Sequence, residues 1–90
     1  MKKRSRLEVI FDILSIIKSK NNSIKPTPLL RYSNLSSQSF AQYLLELKDK
    51  ELIREETDNK SRTYITLTDK GFKYLQKYKD MRSFIDEFGL

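Results

Sequence analysis

The sequence of 90 residues contains no cysteine, no histidine and only two glycines, Gly71 and Gly89. Disulfide bonds are therefore excluded, and so are thiol nucleophiles, imidazole general bases and nearly every set of zinc ligands. Two isolated glycines cannot form the glycine-rich loop that binds a nucleotide phosphate. We therefore expect a protein that is not an enzyme and that binds no cofactor.

Long apolar runs are also missing. The most apolar stretch, Val9 to Ile17, is interrupted by Asp12 and Ser15 and is too short to span a bilayer. The basic start of the chain is soon followed by Glu8, and no small-residue cleavage site follows it, which argues against a secretory signal. These features predict a cytoplasmic protein with no membrane partner.

Acidic residues are scarce in the first half of the chain. Lys and Arg number 18 against 12 Asp and Glu, for a formal net charge of +6, and no acidic residue occurs between Asp12 and Glu46. Acidic residues then outnumber basic ones over residues 46–56. A surface built from the first half is positive, as binding to an anionic polymer requires.

The hydrophobic period predicts two helices at the start. Apolar residues recur at helical spacing over residues 5–20 and indicate a broad buried face. The Ile24-Lys25 pair precedes a proline and is expected to be extended. Thr27 followed by Pro28 is typical of an N-cap with proline at the first helical position, so a short second helix should reach about Tyr32.

Three further elements follow. A serine caps a third, amphipathic helix, two β-rich runs flank a polar turn, and Thr68 caps a long last helix. The predicted bounds are about 36–50 for the third helix, Leu52–Glu56 and Thr63–Leu67 for the strands, and 69–88 for the last helix.

A short helix, a tight turn and a longer helix form a helix-turn-helix, and a hairpin directly after it is a wing. We predict a mainly α fold with a small β-hairpin, a winged helix-turn-helix with a long C-terminal dimerisation helix. Residues 1–68 would form the winged domain and residues 69–90 the dimerisation helix. The third helix fits the DNA major groove, and the wing at 57–62 can reach the backbone or minor groove.

Candidate DNA contacts lie on the outward side of the third helix. Gln38 and Gln42 are one turn apart, and their amides can pair with adenine. Ser36, Ser37 and Ser39 can donate to phosphates at the helix N-terminus.

Basic side chains supply further candidates. Lys60 and Arg62 lie at the wing tip, and Lys25 and Arg31 lie near the second helix. A mobile basic arm, Lys2-Lys3-Arg4-Arg6, could add non-specific affinity. The alternative for each outward polar residue is an ordinary solvated surface, and Glu46 would be repelled by phosphates unless it lies past the contact region.

The last helix carries a coiled-coil pattern. Apolar residues follow the alternating three- and four-residue spacing of a coiled-coil seam, whereas Phe72 and Leu75 fall off the seam and are free to pack on the core. The pattern predicts a homodimer, and the alternative is that the stripe covers the core of its own chain. The predicted dimer residues are Tyr74, Tyr78, Met81, Ile85 and Phe88.

Most of the chain resembles the archaeal winged-helix proteins of the small chromatin-associated type. The matching segments are TPLLRYSNLSSQSFAQYLLEL, KDKELIREE and TYITLTDKGFKYLQKYKDM, which begin at residues 27, 48 and 63. The resemblance implies a basic DNA-binding protein that dimerises through an antiparallel C-terminal coiled coil. Pro28 and Arg31 depart from the basic and aromatic residues usual there, and Glu51 replaces a glycine common at the end of the recognition helix.

We therefore expect a nucleoid-associated homodimer that binds double-stranded DNA and acts as a transcription regulator or chromatin-architectural protein. The alternative is a winged helix that binds another protein within a transcription or other assembly, for which the acidic stretch Glu46–Glu56 and an outward Leu45 would be suited.

Overall fold

A computed structural model describes residues 4–90 and shows four helices and one antiparallel hairpin. The predicted fold class is confirmed. The elements are α1 (Arg6–Ser19), α2 (Pro26–Ser33), α3 (Ser37–Asp49), β1 (Ile53–Thr57), β2 (Thr63–Leu67) and α4 (Asp69–Phe88).

Helix α1 runs through the centre of the core. Ile13, Leu14 and Ile17 are fully buried, and they pack in one cluster with buried residues of α2, α3 and β2. This arrangement follows from the broad apolar stripe of α1, which meets neighbours on more than one side. Helix α3 is held on this core by Phe40 and Leu47, so its opposite side faces outward.

The loop between α1 and α2 is tied to the hairpin. Ile24 pairs with Ile65 of β2, and both backbone N–H groups donate across the bridge at 3.2 and 2.8 Å. The Asn22 side-chain oxygen accepts from the backbone N–H of Leu67 at 2.7 Å. The expected extended piece at Ile24 is therefore confirmed, and it fixes the wing relative to the helices.

The predicted start of α2 was wrong. The helix begins at Pro26 rather than at Pro28, and its N-cap is Lys25, which makes no side-chain capping bond. Proline needs no hydrogen-bonded N–H in the first turn, so either proline could open the helix. Pro26 opens it because Lys25 is already extended beside the Ile24 bridge, which leaves Thr27 inside the helix.

Phe72 is also placed differently from the prediction. Its side chain remains 39% exposed, whereas Leu75 is buried in the core as expected. Gly71, one residue earlier, is buried against the Leu52 backbone. This close approach brings α4 onto the hairpin through Gly71 and Leu75 and leaves Phe72 at the edge.

Helix α3 ends in a Schellman motif built without glycine. The backbone N–H of Leu52 donates to the Leu47 carbonyl at 2.9 Å, and that of Glu51 donates to the Lys48 carbonyl at 3.0 Å. Glu51 has a φ of 59°, in the left-handed region where glycine is favoured. A non-glycine residue in this conformation destabilises the fold by about 1–2 kcal/mol. Glycine avoids this strain, but its unfolded state has more conformational entropy, which offsets part of the gain.

Glu51→Gly should therefore raise the free energy of unfolding by about 1 kcal/mol and the Tm by roughly 4–8 °C. Thermal unfolding followed by circular dichroism at one protein concentration measures the change. Asn34→Gly is the matched control because Asn34 has a φ of 58°. Asparagine tolerates this conformation, so the control should gain only a few tenths of a kcal/mol. If the Glu51→Gly variant is no more stable than the parent, the left-handed conformation of Glu51 does not strain the backbone.

Neither a membrane-spanning helix nor a cluster of metal ligands is found among the described residues. Across residues 4–90, no helix is both long and apolar enough to cross a membrane. Over the same part of the chain, no group of acidic side chains is arranged to hold a metal ion.

Candidate nucleic-acid interface

The N-terminal half of α3 presents small polar side chains to solvent. The Ser36 hydroxyl accepts from the backbone N–H of Ser39 at 3.2 Å and caps the helix. Ser37, Gln38 and Gln42 are exposed, and Ser39 is half-buried. The structure therefore brings all five α3 candidates to one end of the helix, with the two glutamines pointing away from the core.

Ala41 and Leu45 share the outward side of α3 with the glutamines. Ala41 is exposed, and Leu45 is 64% exposed although it is a large apolar residue. From Ser37 to Leu45 the helix carries no charged side chain. A neutral surface of this kind can approach base edges without repulsion from phosphates.

The first acidic residue that follows this surface is neutralised. Glu46 is half-buried and forms ion pairs with Arg6 and with Lys50, the latter at 3.3 Å. The Arg6 guanidinium also lies 6.0 Å from the centre of the Tyr43 ring. Sequence reasoning missed the Arg6 pairing because forty positions separate the partners and no local pattern links them.

The predicted mobile basic arm was wrong for Arg4 as well as for Arg6. Arg4 donates to the Asp12 carboxylate at 2.8 Å and to the Ser33 carbonyl at 2.9 Å, which ties the start of the chain to α1 and to the end of α2. Lys2 and Lys3 lie outside the described residues.

The wing tip is organised by Asp58. One carboxylate oxygen accepts from the backbone N–H groups of Lys60 and Arg62 at 2.9 and 3.0 Å, and the other accepts from Arg62 Nε at 2.8 Å. The backbone N–H of Arg62 is the main reason that the pKa of Asp58 lies below its ordinary value, so this carboxylate is ionised at neutral pH. Part of the Arg62 charge is thereby offset, whereas Lys60 makes no ion pair within residues 4–90.

The basic candidates near α2 are accessible. Lys25, the N-cap of α2, and Arg31, in its last turn, are both exposed. The structure places both on the helix-turn-helix.

The predicted dimer residues divide into two groups along α4. Tyr74 and Tyr78 contact α1 of the same chain, since the Tyr74 hydroxyl donates to the Leu7 carbonyl at 3.0 Å and the Tyr78 ring stacks on Phe11 at 4.3 Å. Burial raises the pKa of Tyr74, which keeps this hydroxyl a donor. These tyrosines therefore help to cover the core of their own chain, as the alternative interpretation of the stripe proposed.

The second group lies nearer the end of α4. Met81 is 39% exposed, Phe88 is 63% exposed and Ile85 is half-buried. Phe84, which sequence reasoning left out because it falls off the seam, is 56% exposed and packs on Phe88 with ring centres 5.0 Å apart. A contiguous apolar end of α4 is thus left open.

An apolar cleft lies beside this open end. It has a volume of about 180 Å³ and is lined by Leu7, Tyr74, Lys77, Tyr78 and Met81. Leu7 is half exposed although it is a large apolar residue. The apolar surface therefore continues from α4 onto the start of α1.

A helix-turn-helix followed by a two-stranded wing defines the winged helix-turn-helix class. The sequence profile of the winged helix-turn-helix family matches residues 3–86, and the chain belongs to this family. The family and fold inferred from the sequence resemblance are confirmed.

Three known proteins show how far the similarity extends. The uncharacterized protein MJ0290 of the archaeon Methanocaldococcus jannaschii is 35% identical over 79 residues, which is 88% of this chain but only 34% of that relative's length. Sso10a-2, a DNA-binding protein from Sulfolobus solfataricus, superposes with a TM-score of 0.75 at 19% identity, over 94% of this chain and 85% of that one. MepR, a transcription regulator from Staphylococcus aureus, superposes with a TM-score of 0.77 at 16% identity, over 89% of this chain and 60% of that one.

Proposed function

We propose that this chain is a DNA-binding homodimer that acts as a transcription regulator or organises DNA. Helix α3 would enter the major groove, and the wing would contact the backbone or the minor groove. The observation that carries the proposal is the exposed, uncharged side of α3 from Ser37 to Leu45, with the first carboxylate that follows it, Glu46, already paired. The DNA-binding and regulatory roles of Sso10a-2 and MepR support it.

Charge placement supports the same orientation. Lys25, Arg31 and Lys60 are exposed on the helix-turn-helix and the wing, where phosphates flanking a groove would lie. Such contacts supply most of the affinity by releasing counterions, so binding should weaken steeply with salt. The serines at the start of α3 can add hydrogen bonds to phosphate.

The homodimer part of the proposal rests on the end of α4. Met81, Phe84 and Phe88 expose apolar surface that this small domain does not use in its own core. The 20 residues of α4 measure about 30 Å at ~1.5 Å per residue, close to the ~34 Å between successive major grooves on one side of DNA. We place the winged domain at residues 1–68 and the dimerisation helix at 69–90.

Replacing both basic residues of the wing tip tests the DNA-binding mode. Because a homodimer presents two wings, Lys60→Ala with Arg62→Ala should reduce the slope of log K against log salt by about 2–4 and weaken duplex binding at least tenfold at moderate salt. Fluorescence anisotropy with a labelled duplex over a salt series measures both quantities. A parent protein with no binding at low salt, or with a slope near zero, would contradict the proposed function.

The matched control removes the same charge elsewhere. Lys73 and Lys79 are exposed on α4, outside the helix-turn-helix and wing, so Lys73→Ala with Lys79→Ala should leave the slope nearly unchanged. Equal losses in the two variants would mean that binding depends on net charge and not on the wing. A genome-wide occupancy profile then separates the two roles, because discrete peaks indicate regulation and broad coverage indicates DNA organisation.

A further inference from the structure

The outward side of α3 has two kinds of residue arranged in adjacent rows. Gln38 and Gln42 form one row at a spacing of four, and Ala41 and Leu45 form the other at the same spacing. Residues four apart lie one above the other on a helix, so the four side chains form a single patch. From Gln38 to Leu45 the patch is about 10 Å long, which corresponds to roughly three base pairs at ~3.4 Å each.

Leu45 has no structural role in the described chain. It is 64% exposed, whereas Phe40 and Leu47 on the other side of α3 are buried in the core. Leu45 is also absent from the partly buried residues that pack around that core. Its apolar surface is therefore available to whatever α3 binds.

The composition of the patch corresponds to one kind of base pair. In the major groove, a glutamine amide pairs with N6 and N7 of adenine, and an apolar side chain contacts the 5-methyl group of thymine. Guanine is read by arginine or lysine, and α3 has neither before Lys48. Cytosine is read by a carboxylate, but Glu46 is paired with Arg6 and Lys50, and Asp49 is the last residue of α3.

We propose that α3 reads A·T base pairs in the major groove, with Leu45 and Ala41 against thymine methyl groups and Gln38 and Gln42 on adenine. The proposal rests on the DNA-binding function above and names the sequence class that this site selects. Charge complementarity favours DNA as the occupant, because Lys25, Arg31 and Lys60 are exposed on the helix-turn-helix and the wing, and Glu46 is already paired with Arg6 and Lys50. The exposed Asp49 lies one turn beyond Leu45, at the end of α3.

Four synthetic duplexes of equal length test this proposal at one salt concentration. They contain alternating A·T, G·C, inosine·C or A·deoxyuridine pairs. Inosine·C presents the major groove of G·C and a minor groove resembling that of A·T, and deoxyuridine lacks only the 5-methyl group of thymine. The A·T duplex should bind at least tenfold more tightly than G·C, and inosine·C should bind like G·C. A·deoxyuridine should bind about fourfold more weakly than A·T for each methyl group contacted.

Substitutions in α3 test which side chain produces the preference for the thymine methyl group and which produces the preference for A·T over G·C. Leu45→Ala should lower the ratio between A·T and A·deoxyuridine affinities by the roughly fourfold that one methyl contact contributes, leaving the share of Ala41. Leu90→Ala, at a leucine that is 79% exposed and follows α4, should leave the ratio unchanged. Gln42→Ala should reduce the preference for A·T over G·C, with Gln76→Ala on α4 as its control. Thermal unfolding of each variant checks that the fold is retained.

The outcomes separate this inference from the function on which it rests. Failure to bind any duplex would overturn the proposed DNA binding itself. Equal binding to A·T and G·C would overturn only the A·T selection. Inosine·C binding as tightly as A·T would place the selection in the minor groove, and an unchanged methyl effect in Leu45→Ala would remove Leu45 from the reading surface. Each of these last three results would contradict the proposed A·T reading by α3.

Discussion

A chain carrying Met81→Glu and Phe88→Glu should be a monomer of 10.7 kDa, and it should bind a duplex with two half-sites at least a hundredfold more weakly than the parent. Both side chains are exposed within the chain, at 39% and 63%, so glutamate at these positions does not disturb its own core. In a dimer, by contrast, each would be a charge buried in an apolar seam, which is strongly unfavourable. A monomer also loses the gain in effective concentration that a second linked half-site provides.

Sedimentation velocity at micromolar concentration measures the oligomeric state, and anisotropy measures the duplex affinity. Lys73→Gln with Lys79→Gln is the matched control, because it changes the net charge by the same amount at exposed positions of α4 away from the seam. The control should remain dimeric. If the Met81→Glu and Phe88→Glu variant is still a dimer, or if the parent is already a monomer, the proposed dimer interface at the end of α4 is wrong. Tyr78 is unsuitable for this test because its ring stacks on Phe11 at 4.3 Å.

The elements that the sequence predicted correctly depend on local patterns. The Ser36 hydroxyl caps α3 through Ser39, and the Thr68 hydroxyl caps α4 through Gly71. Both contacts join residues three positions apart, so the chemistry is visible within one turn. The signal for the hairpin was equally local, because the polar turn sets the strand register through the adjacent pair Thr57 and Thr63.

The features that the sequence did not predict depend on tertiary contacts. The start of α2 at Pro26 follows from the bridge between Ile24 and Ile65, whereas the local signal of Thr27 before Pro28 favoured the wrong proline. The ion pair between Arg6 and Glu46 likewise joins distant parts of the chain. Such contacts have no periodic signal, so only the folded arrangement shows them.

The coiled-coil spacing of α4 shows a related limit. A heptad pattern identifies an apolar stripe but does not say whether the stripe faces its own chain or a second one. In the structure, Tyr74 and Tyr78 contact α1, and Met81 and Phe88 stay exposed. The first part of the stripe packs on α1. The last part stays exposed because α4 extends beyond the segment that packs on α1. The proposed homodimer therefore depends on the exposed end, which is why the charge substitutions are placed there.

Gly71→Ala should lower the free energy of unfolding by about 3 kcal/mol and the Tm by roughly 12–24 °C. Gly71 lies in the first turn of α4 with a helical backbone, so the cost comes entirely from space. A methyl group on its Cα would overlap the Leu52 carbonyl oxygen and would lie 3.4 Å from the Leu67 side chain. The Leu52 carbonyl cannot easily retreat, because it accepts the Thr68 backbone N–H at 3.2 Å and its own residue donates to Leu47 at 2.9 Å.

Gly89→Ala separates this steric effect from a general cost of replacing glycine. Gly89 has a φ of 67° and open space around it, so alanine there should cost only about 1 kcal/mol of local backbone strain at the end of α4. Chemical denaturation of the two variants at one protein concentration compares them directly. Equal losses would mean that the Leu52 backbone yields to the added methyl group and that space at Gly71 is not limiting. A much larger loss for Gly71→Ala would establish that glycine is required there because α4 approaches the Leu52 backbone, the contact that joins the last helix to the wing.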